Sequence, residues 1–512
     1  MSDPRGKVYL VGAGPGDPGL LTLRGAECLR LADVVIYDYL ANSQLLLHAR
    51  PDAERVCLGR HGTGHGRLMS QAEANEAMIR HASAGRTVVR LKGGDPAIFA
   101  RLAEELAALD DAKIPYEIVP GVTAAQAASS HAGIPLTQRE EASCVAFVTG
   151  QEMHDKTTTE PLDYAALACF PGTLVFYMGV TTAPTWSSAL LDHGKRPDTP
   201  VAIARRCSLP DQQTIYTTLG QLTEVVQTNN LRPPAVVIVG DVAQSRDVAN
   251  WFTTRPLFGR TVLVTRPEHQ ADDLAEKLRN LGANVLFQPA IEIGPPLDWK
   301  PVDAAIKRLS EFDWLVFSSR NGVEYFFERL LAAGRDLRQV GRALKLAAIG
   351  PGTAEALCEF HLKSDVQPNE YRAEALAEAL APHARGKKFL LARASRGREV
   401  LAESLTAAGA TVEQVVVYES RDVATSDDDV AKALADGRID FTTVTSSAIA
   451  RSLVQLFGGD LRKTRLAAIS PLTASVLSDV GYAPAIIAET YTSEGFLTAI
   501  LTAASSDASV KA

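Results

Sequence analysis

The feature that most restricts this chain is a duplication in its second half. Val262–Val285 (VLVTRPEHQADDLAEKLRNLGANV) and Phe389–Val412 (FLLARASRGREVLAESLTAAGATV) share a strand pattern, a helix pattern and a Leu-Gly or Ala-Gly helix stop. Further on, Leu346–Leu357 (LAAIGPGTAEAL) matches Leu466–Leu477 (LAAISPLTASVL). The repeats are too long for solenoid units, which bury their apolar faces only against neighbours. Two similar α/β lobes facing one another are therefore expected, with the cleft between them as the natural ligand site.

The first half carries the same alternation of strand and helix. Val8–Val11, Val34–Tyr37, Thr87–Leu91, Val145–Thr149, Thr173–Met178 and Ala235–Val239 are apolar, strand-like runs separated by helical patterns. That is an α/β reading. The 512 residues exceed what one core organises, and roughly three or four compact units are expected. A break falls at Asp247–Arg260, where WFTTRPLFGR precedes a fresh strand at Thr261–Thr265. The expected organisation is residues 1–250 with lobes 1–118 and 119–250, a linker at 251–260, and residues 261–500. Lobes of the latter are 261–293 with 421–500, and 294–420. The small polar tail, 501–512, is expected to fray.

Composition excludes several classes. Apolar residues make up 46% and charged residues 22%, which is ordinary globular usage. A net charge of -8 argues against nucleic acid as a partner. The six cysteines are scattered without a CxxC pair, as in a reducing compartment, so neither disulfides nor a structural zinc is expected. The apolar Val8–Val11 runs straight into a Gly-Pro turn and reads as a first strand, not an export signal. No stretch approaches the roughly twenty apolar residues of a membrane span. A soluble cytoplasmic protein is expected.

The first strand ends in GAGPGDPGLLT (Gly12–Thr22), with Asp33 and Asp38 downstream. The rival reading is a dinucleotide fingerprint, but Asp17 stands where its third glycine belongs and Pro15 interrupts the turn. Gly12, Gly14 and Gly16 also suit a bare backbone wall for an adenosyl group, or a simple strand-to-helix turn. RLKGGDPAIFARLAEEL (Arg90–Leu106) repeats the strand, glycine loop and helix design, and PGVTAAQAASSHAGIPLTQRE (Pro120–Glu140) and GTLVFYMG (Gly172–Gly179) follow.

Over residues 6–250 these ordered segments resemble the uroporphyrinogen-III C-methyltransferases that use S-adenosylmethionine (SAM). The resemblance implies a two-lobed tetrapyrrole-methylase fold, a homodimer, SAM as co-substrate, no metal, and two methylations that give precorrin-2. It places Pro15, Gly93, Gly94, Asp95, Ile98, Thr123, Ala124, Met178 and Cys207 along the SAM wall. It makes Asp38 the proton acceptor, Arg101 and Glu104 catalytic residues, and Arg60 and Arg139 ligands of the substrate carboxylates, which Arg forks hold well. Three departures stand out. Arg60 replaces a lysine suggested as proton donor, and Arg holds its proton too firmly to donate it. ARLAEE (Ala100–Glu105) keeps the charges of the family's Gly-Arg-Gly-Gly-Glu-Glu and loses its glycines, and Cys207 replaces a glycine. His61 and His65 in HGTGHG lack the further ligands that a metal site needs.

Taken without a resemblance, residues 260–500 are a duplicated α/β binding protein. VLVTRP (Val262–Pro267), FSSRNGVEYF (Phe317–Phe326), AAIGPGTAEAL (Ala347–Leu357), VVVYES (Val415–Ser420) and TSSAIARSL (Thr445–Leu453) resemble uroporphyrinogen-III synthase. That implies closure of linear hydroxymethylbilane with inversion of its last ring and loss of water. Holding the chain in the folded conformation would supply much of such catalysis. Tyr418 matches a tyrosine proposed to assist hydroxyl departure; Ser318, Ser319, Ser446, Ser447 and Thr473 are expected to bind substrate carboxylates. Serines after strands equally cap helices, and Arg266 and Arg393, equivalent in the duplication, are either carboxylate ligands or a shared structural pair. The two activities adjoin, since the product of the second half is the substrate of the first. The alternatives are a methylase of a later corrin intermediate and a C-terminal half that only senses a tetrapyrrole.

Overall fold

Strand β1 (Val8–Gly12) is buried along its whole length, as are β4 (Val88–Lys92) and most of β2 (Val34–Tyr37). Burial on both faces is the mark of a parallel sheet covered by helices on either side. In this computed structural model, which describes residues 6–59, 69–152, 161–244, 250–341 and 343–511, these strands join β3 (Glu54–Cys57) and β5 (Tyr116–Val119) in the order β3-β2-β4-β1-β5, all parallel. Their C-terminal ends therefore lie on one edge, where open α/β sheets bind ligands. The order is not that of a dinucleotide fold, and a short 3-10 turn, Pro18–Leu20, separates β1 from its helix at Leu23–Leu31. No helix N-terminus directly follows the Gly-rich loop to receive a pyrophosphate.

The second lobe of this unit is a mixed sheet of β6 (Val145–Thr149), β7 (Thr173–Tyr177), β8 (Pro200–Arg205), β9 (Gln213–Thr218) and β10 (Ala235–Val239), ordered β6-β7-β10-β8-β9. Only β6 and β7 pair in parallel. One face packs on Trp186, which stacks on Phe176 at 3.9 Å; the other packs on the helix Ala124–Ala132. Asn250 and the first two residues of the expected linker, Trp251 and Phe252, are anchored to that helix. Asn250 Nδ2 and Trp251 Nε1 donate to the His131 and Ser130 carbonyls at 2.7 and 2.8 Å, and the buried Phe252 ring meets His131 edge-on at 4.7 Å. The first compact unit accordingly comprises Met1–Arg260 with Asn280–Asn284.

The second unit holds two five-stranded sheets. One takes β11 (Thr261–Val264), β12 (Asn284–Phe287), β18 (Phe441–Val444), β19 (Arg465–Ala468) and β20 (Ile486–Ile487) in the order β12-β11-β18-β19-β20. The other takes β13 (Ile291–Gly294), β14 (Trp314–Phe317), β15 (Lys345–Ala348), β16 (Lys388–Ala394) and β17 (Thr411–Asp422) in the order β13-β17-β16-β14-β15. The duplicated pieces are thus exchanged: each lobe combines the opening piece of one repeat with the closing piece of the other. The chain crosses between lobes beside the antiparallel pair β13 and β17 (Ile291 against Asp422). The tail expected to fray continues instead as a helix, Ser493–Lys511. It is rich in alanine, a strong helix former, and its Ser505 and Ser506 hydroxyls bond back to the carbonyls four residues earlier. Among the described residues no helix is long and apolar enough to cross a membrane, and the six cysteines form no disulfide.

Candidate active sites

In the first unit three loops meet backbone to backbone at the C-terminal edge of the parallel sheet. Gly14 and Gly94 exchange hydrogen bonds, N to O, at 3.1 and 2.8 Å. A Cβ on Gly121 would fall 2.4 Å from the Gly94 carbonyl oxygen and 2.8 Å from Gly12 Cα, so no side chain fits. The Asp95 carboxylate fastens the junction by accepting from the N–H groups of Ala97 and Gly121 at 2.8 and 2.9 Å. Gly94 itself adopts φ +71°, and a Cβ there would meet only Thr123 and Ala124, at 3.9 and 4.0 Å. The result is a junction of bare backbone at Gly12, Gly14, Gly94 and Gly121, beside which Gly93 is covered by the Leu40 side chain, 2.9 Å from where a Cβ would stand.

The second lobe closes the other side. The Tyr177 and Thr123 hydroxyls lie 2.7 Å apart, and Ala125 N donates to the Tyr177 oxygen at 3.0 Å. Ile98, Ala124, Tyr177 and Cys207 share one apolar cluster, while Met178 is 46% exposed beside it. Cys207 turns its side chain into the core, where burial pushes the thiol up to about 12; its backbone lies in a turn. Ser208 reaches back to the Gly-rich loop by accepting from Asp17 N at 3.1 Å. Of the eight described non-glycine residues at positive φ, five (Phe99, Arg101, Met178, Arg206 and Ser208) flank this cradle. Such backbone costs about 1–3 kcal/mol per residue and concentrates at ligand sites.

Asp38, at the end of β2, takes part in a charged chain that sequence reasoning missed. Arg90 donates to Asp38 Oδ1 at 2.7 Å and to Glu105 Oε1 at 3.1 Å, and Lys92 donates to Glu105 Oε2 at 2.5 Å. Arg90, Lys92 and Glu105 are 4%, 1% and 0% exposed. Burial holds the Lys92 ammonium below its usual pKa, against the pull of Glu105. The available signal was charge inside the otherwise apolar strand VVRLK. Tyr177 and Ser208 were also missed; Tyr177 sits within the apolar run TLVFY.

The remaining expected residues are more exposed. Arg101 offers its fork to Glu104 at 2.8 and 2.5 Å, which raises the pKa of the Arg and lowers that of the Glu. Arg139 projects from an exposed turn closed by the Gln138–Ala142 bridge. Arg60, His61 and His65 lie outside the described residues. No cluster of metal-ligating side chains occurs among those described.

In the second unit the expected residues divide between lobes. Tyr418, 7% exposed, sets its hydroxyl 3.0 Å from Ser319 Oγ and stacks on Tyr325 at 5.9 Å; burial raises its pKa. Ser318, Arg393 and Tyr418 line a cavity of about 240 Å³ with Arg396, Arg398 and Gln414. Each arginine there already meets a carboxylate: Glu399, Asp422 and Glu374 respectively. On the other lobe lie Ser446, Ser447 and Thr473. Ser319 and Ser446 cap helices by accepting from Gly322 N and Ile449 N, and the buried Thr473 pairs with Ser470. Arg266 donates to Thr445 Oγ1 at 3.1 Å, so the duplicated arginines do not share partners.

Residues 7–223 match the tetrapyrrole (corrin/porphyrin) methylases, and residues 272–498 match uroporphyrinogen-III synthase HemD. The porphyrin biosynthesis protein HemD of Ruminiclostridium josui is 34% identical over 450 residues, 88% of this chain and 88% of that protein. The uroporphyrinogen-III C-methyltransferase of Bacillus subtilis is 39% identical over 350 residues, 67% of this chain and 70% of its own. A solved uroporphyrin-III C-methyltransferase of Thermus thermophilus, complexed with S-adenyl homocysteine, is 39% identical and covers 46% of this chain and 98% of its own, with a TM-score of 0.40. With both families matched in order and one relative aligned across most of its length, the chain belongs to the family in which a tetrapyrrole methylase is fused to a HemD uroporphyrinogen-III synthase.

Proposed function

We propose that the second unit closes hydroxymethylbilane to uroporphyrinogen III and that the first methylates this product twice with SAM, giving precorrin-2. The observation that carries the reading is the pairing itself. The compound that names the synthase family of the second half also names the methyltransferase relative of the first.

The cradle fits a nucleoside-like co-substrate. Its Gly94 backbone presents no side-chain barrier, Gly93 lies under Leu40, Ile98 and Ala124 supply apolar surface for adenine, and Pro15, Asp95, Thr123, Met178 and the Cys207 loop complete the wall. SAM supplies an already activated methyl group, so the chain's own work is to hold a pyrrole carbon in line with it. Asp38 accepts the proton that the methylated macrocycle then loses. Arg60, Arg101 and Arg139 bind the substrate's carboxylates. The exposed Arg101–Glu104 pair, worth about 0–1 kcal/mol as a surface ion pair, yields its fork to a substrate carboxylate at little cost, and Glu104 stays beside the reacting ring. In the second unit Tyr418 hydrogen-bonds the departing hydroxyl, and Ser318, Ser319, Ser446, Ser447 and Thr473 steady carboxylates beside helix N-termini. The enzyme works in the cytosol, as a homodimer through its first unit.

The test is an anaerobic incubation of the purified chain with hydroxymethylbilane, with and without SAM, followed by absorbance and mass. The expected products are uroporphyrinogen III without SAM and its dimethylated derivative with it. The type-I isomer alone, which forms spontaneously, would overturn the synthase assignment. Absence of methyl transfer to added uroporphyrinogen III would overturn the methyltransferase assignment.

A further inference from the structure

We infer that Arg90 is a positioning residue for methyl transfer: clamped from behind by Glu105, it holds the Asp38 carboxylate fixed at the edge of the cradle. The inference rests on the reading of Asp38 as proton acceptor.

Charges are costly to bury unless they are paired and hydrogen-bonded. Arg90 and Lys92, two apart on β4, face the same side of the sheet, where the helix Leu102–Asp111 delivers Glu105. Glu105 Oε2 receives Lys92; Oε1 receives Arg90 Nε and, at 3.2 Å, Gln71 Nε2. Arg90 Nη1 is spent on the Leu91 carbonyl at 3.2 Å. What remains is Nη2, directed at Asp38. One cation would suffice to neutralise Glu105 and dock the helix. The second is surplus unless Asp38 is counted, and Asp38 is the only member of the four with a substantially accessible side chain, at 29%.

The charge count matches the chemistry. When the pyrrole carbon's electron pair forms the new C–CH3 bond, the sulfur keeps the electrons of the S–CH3 bond and the positive charge passes to the macrocycle. Asp38 removes a proton, and the electron pair left behind neutralises the ring. The carboxylic acid then returns its proton to water, and Arg90 keeps the carboxylate in place throughout. The groups facing Asp38 are Arg90 and Lys92 from β4, adjacent Tyr39, and Glu105 behind Arg90.

The experiment measures S-adenosylhomocysteine formed from SAM with uroporphyrinogen III as acceptor by the full-length chain, as kcat and KM, with SAM affinity by calorimetry, for wild type, Arg90→Met, Arg90→Lys and Asp38→Asn. Loss of the guanidinium is expected to lower kcat by about tenfold or more while KM for uroporphyrinogen III stays within about threefold. SAM affinity should stay within about twofold, because Arg90 lies behind the cradle wall. Arg90→Lys should fall between wild type and Arg90→Met, and Asp38→Asn should lower kcat at least as far as Arg90→Met. An unchanged kcat in either folded Arg90 variant overturns the inference, and should Arg90→Met fail to fold, Arg90→Lys alone decides it. A tenfold loss of SAM affinity accompanying the loss of kcat would assign Arg90 to scaffolding and overturn it equally. A kcat that Asp38→Asn leaves unchanged removes Asp38 as acceptor and Arg90's role with it, while methyl transfer stands; no transfer by wild type defeats the proposed function itself.

Discussion

The hydroxyls of Thr123 and Tyr177, 2.7 Å apart, join the start of the helix Ala124–Ala132 to the end of strand β7. Ala125 N donates to the same tyrosine oxygen at 3.0 Å, so one phenol serves two groups at a helix N-terminus that otherwise lacks a side-chain cap. Tyr177→Phe keeps the ring contacts with Phe99 and Phe147 but leaves a buried amide and hydroxyl without this partner. The expected cost is about 1–3 kcal/mol of stability, read by urea unfolding. SAM affinity, read by calorimetry, should fall roughly tenfold as Thr123 loses its anchor, a change of about 1.4 kcal/mol.

The glycine junction makes a sharper steric prediction. Gly121→Ala would place a methyl 2.4 Å from the Gly94 carbonyl oxygen, and backbone on both sides must move. Overpacking of this kind costs about 1–3 kcal/mol or more, and SAM binding should be lost with the loop geometry. Gly133→Ala is the comparison: φ is +72°, but nothing lies within 4 Å of the added methyl, so only the left-handed backbone penalty of about 1–2 kcal/mol applies. Equal SAM affinities in the two variants would contradict the cradle.

Which parts of this molecule are legible in the sequence follows from what each residue must satisfy. The alternating apolar runs report burial and give the α/β class, and the duplication is read directly from its letters. Gly12 is visible because no larger residue fits, and Gly94 because its backbone is left-handed, at φ +71°. Arg90, Lys92 and Glu105 are not, because a charged residue inside an apolar strand is legible only once the helix carrying its partner is known to cover it. Tyr177 is hidden for the opposite reason: its neighbours Leu174, Val175 and Phe176 make it look like one more core residue. Ser319 and Ser446 cap helices in place, and the oxygen that caps a helix still has a lone pair to offer.

Cys207 predicts a pH dependence. Its thiol moves from an ordinary 9.0 to about 12 in the folded chain because it is buried. Below pH 9 it is protonated in both states and contributes no slope. Between pH 9 and about 12 the unfolded chain releases the proton and the folded chain keeps it, so stability falls as pH rises. Urea unfolding over this interval should show an extra downward slope that Cys207→Ala removes. In the native protein near neutral pH, iodoacetamide should label the exposed Cys57, Cys169 and Cys358 well before buried Cys28 and Cys207.

A substitution at Tyr418 tests one activity against the other. Its ring stacks on Tyr325 and its hydroxyl meets Ser319 Oγ; Tyr418→Phe keeps the first contact and loses the second. Ser319 still caps its helix through Gly322 N, so the stability cost should stay near 1 kcal/mol. A phenol that assists hydroxyl departure contributes about a hundredfold or more. Formation of the type-III isomer from hydroxymethylbilane should fall by about that factor, with spontaneous type-I product taking its place. Methyl transfer to added uroporphyrinogen III, measured in the same preparation, should not change. A loss of ring closure below about threefold would leave Tyr418 a packing residue and return the burden of catalysis to conformational control of the linear substrate.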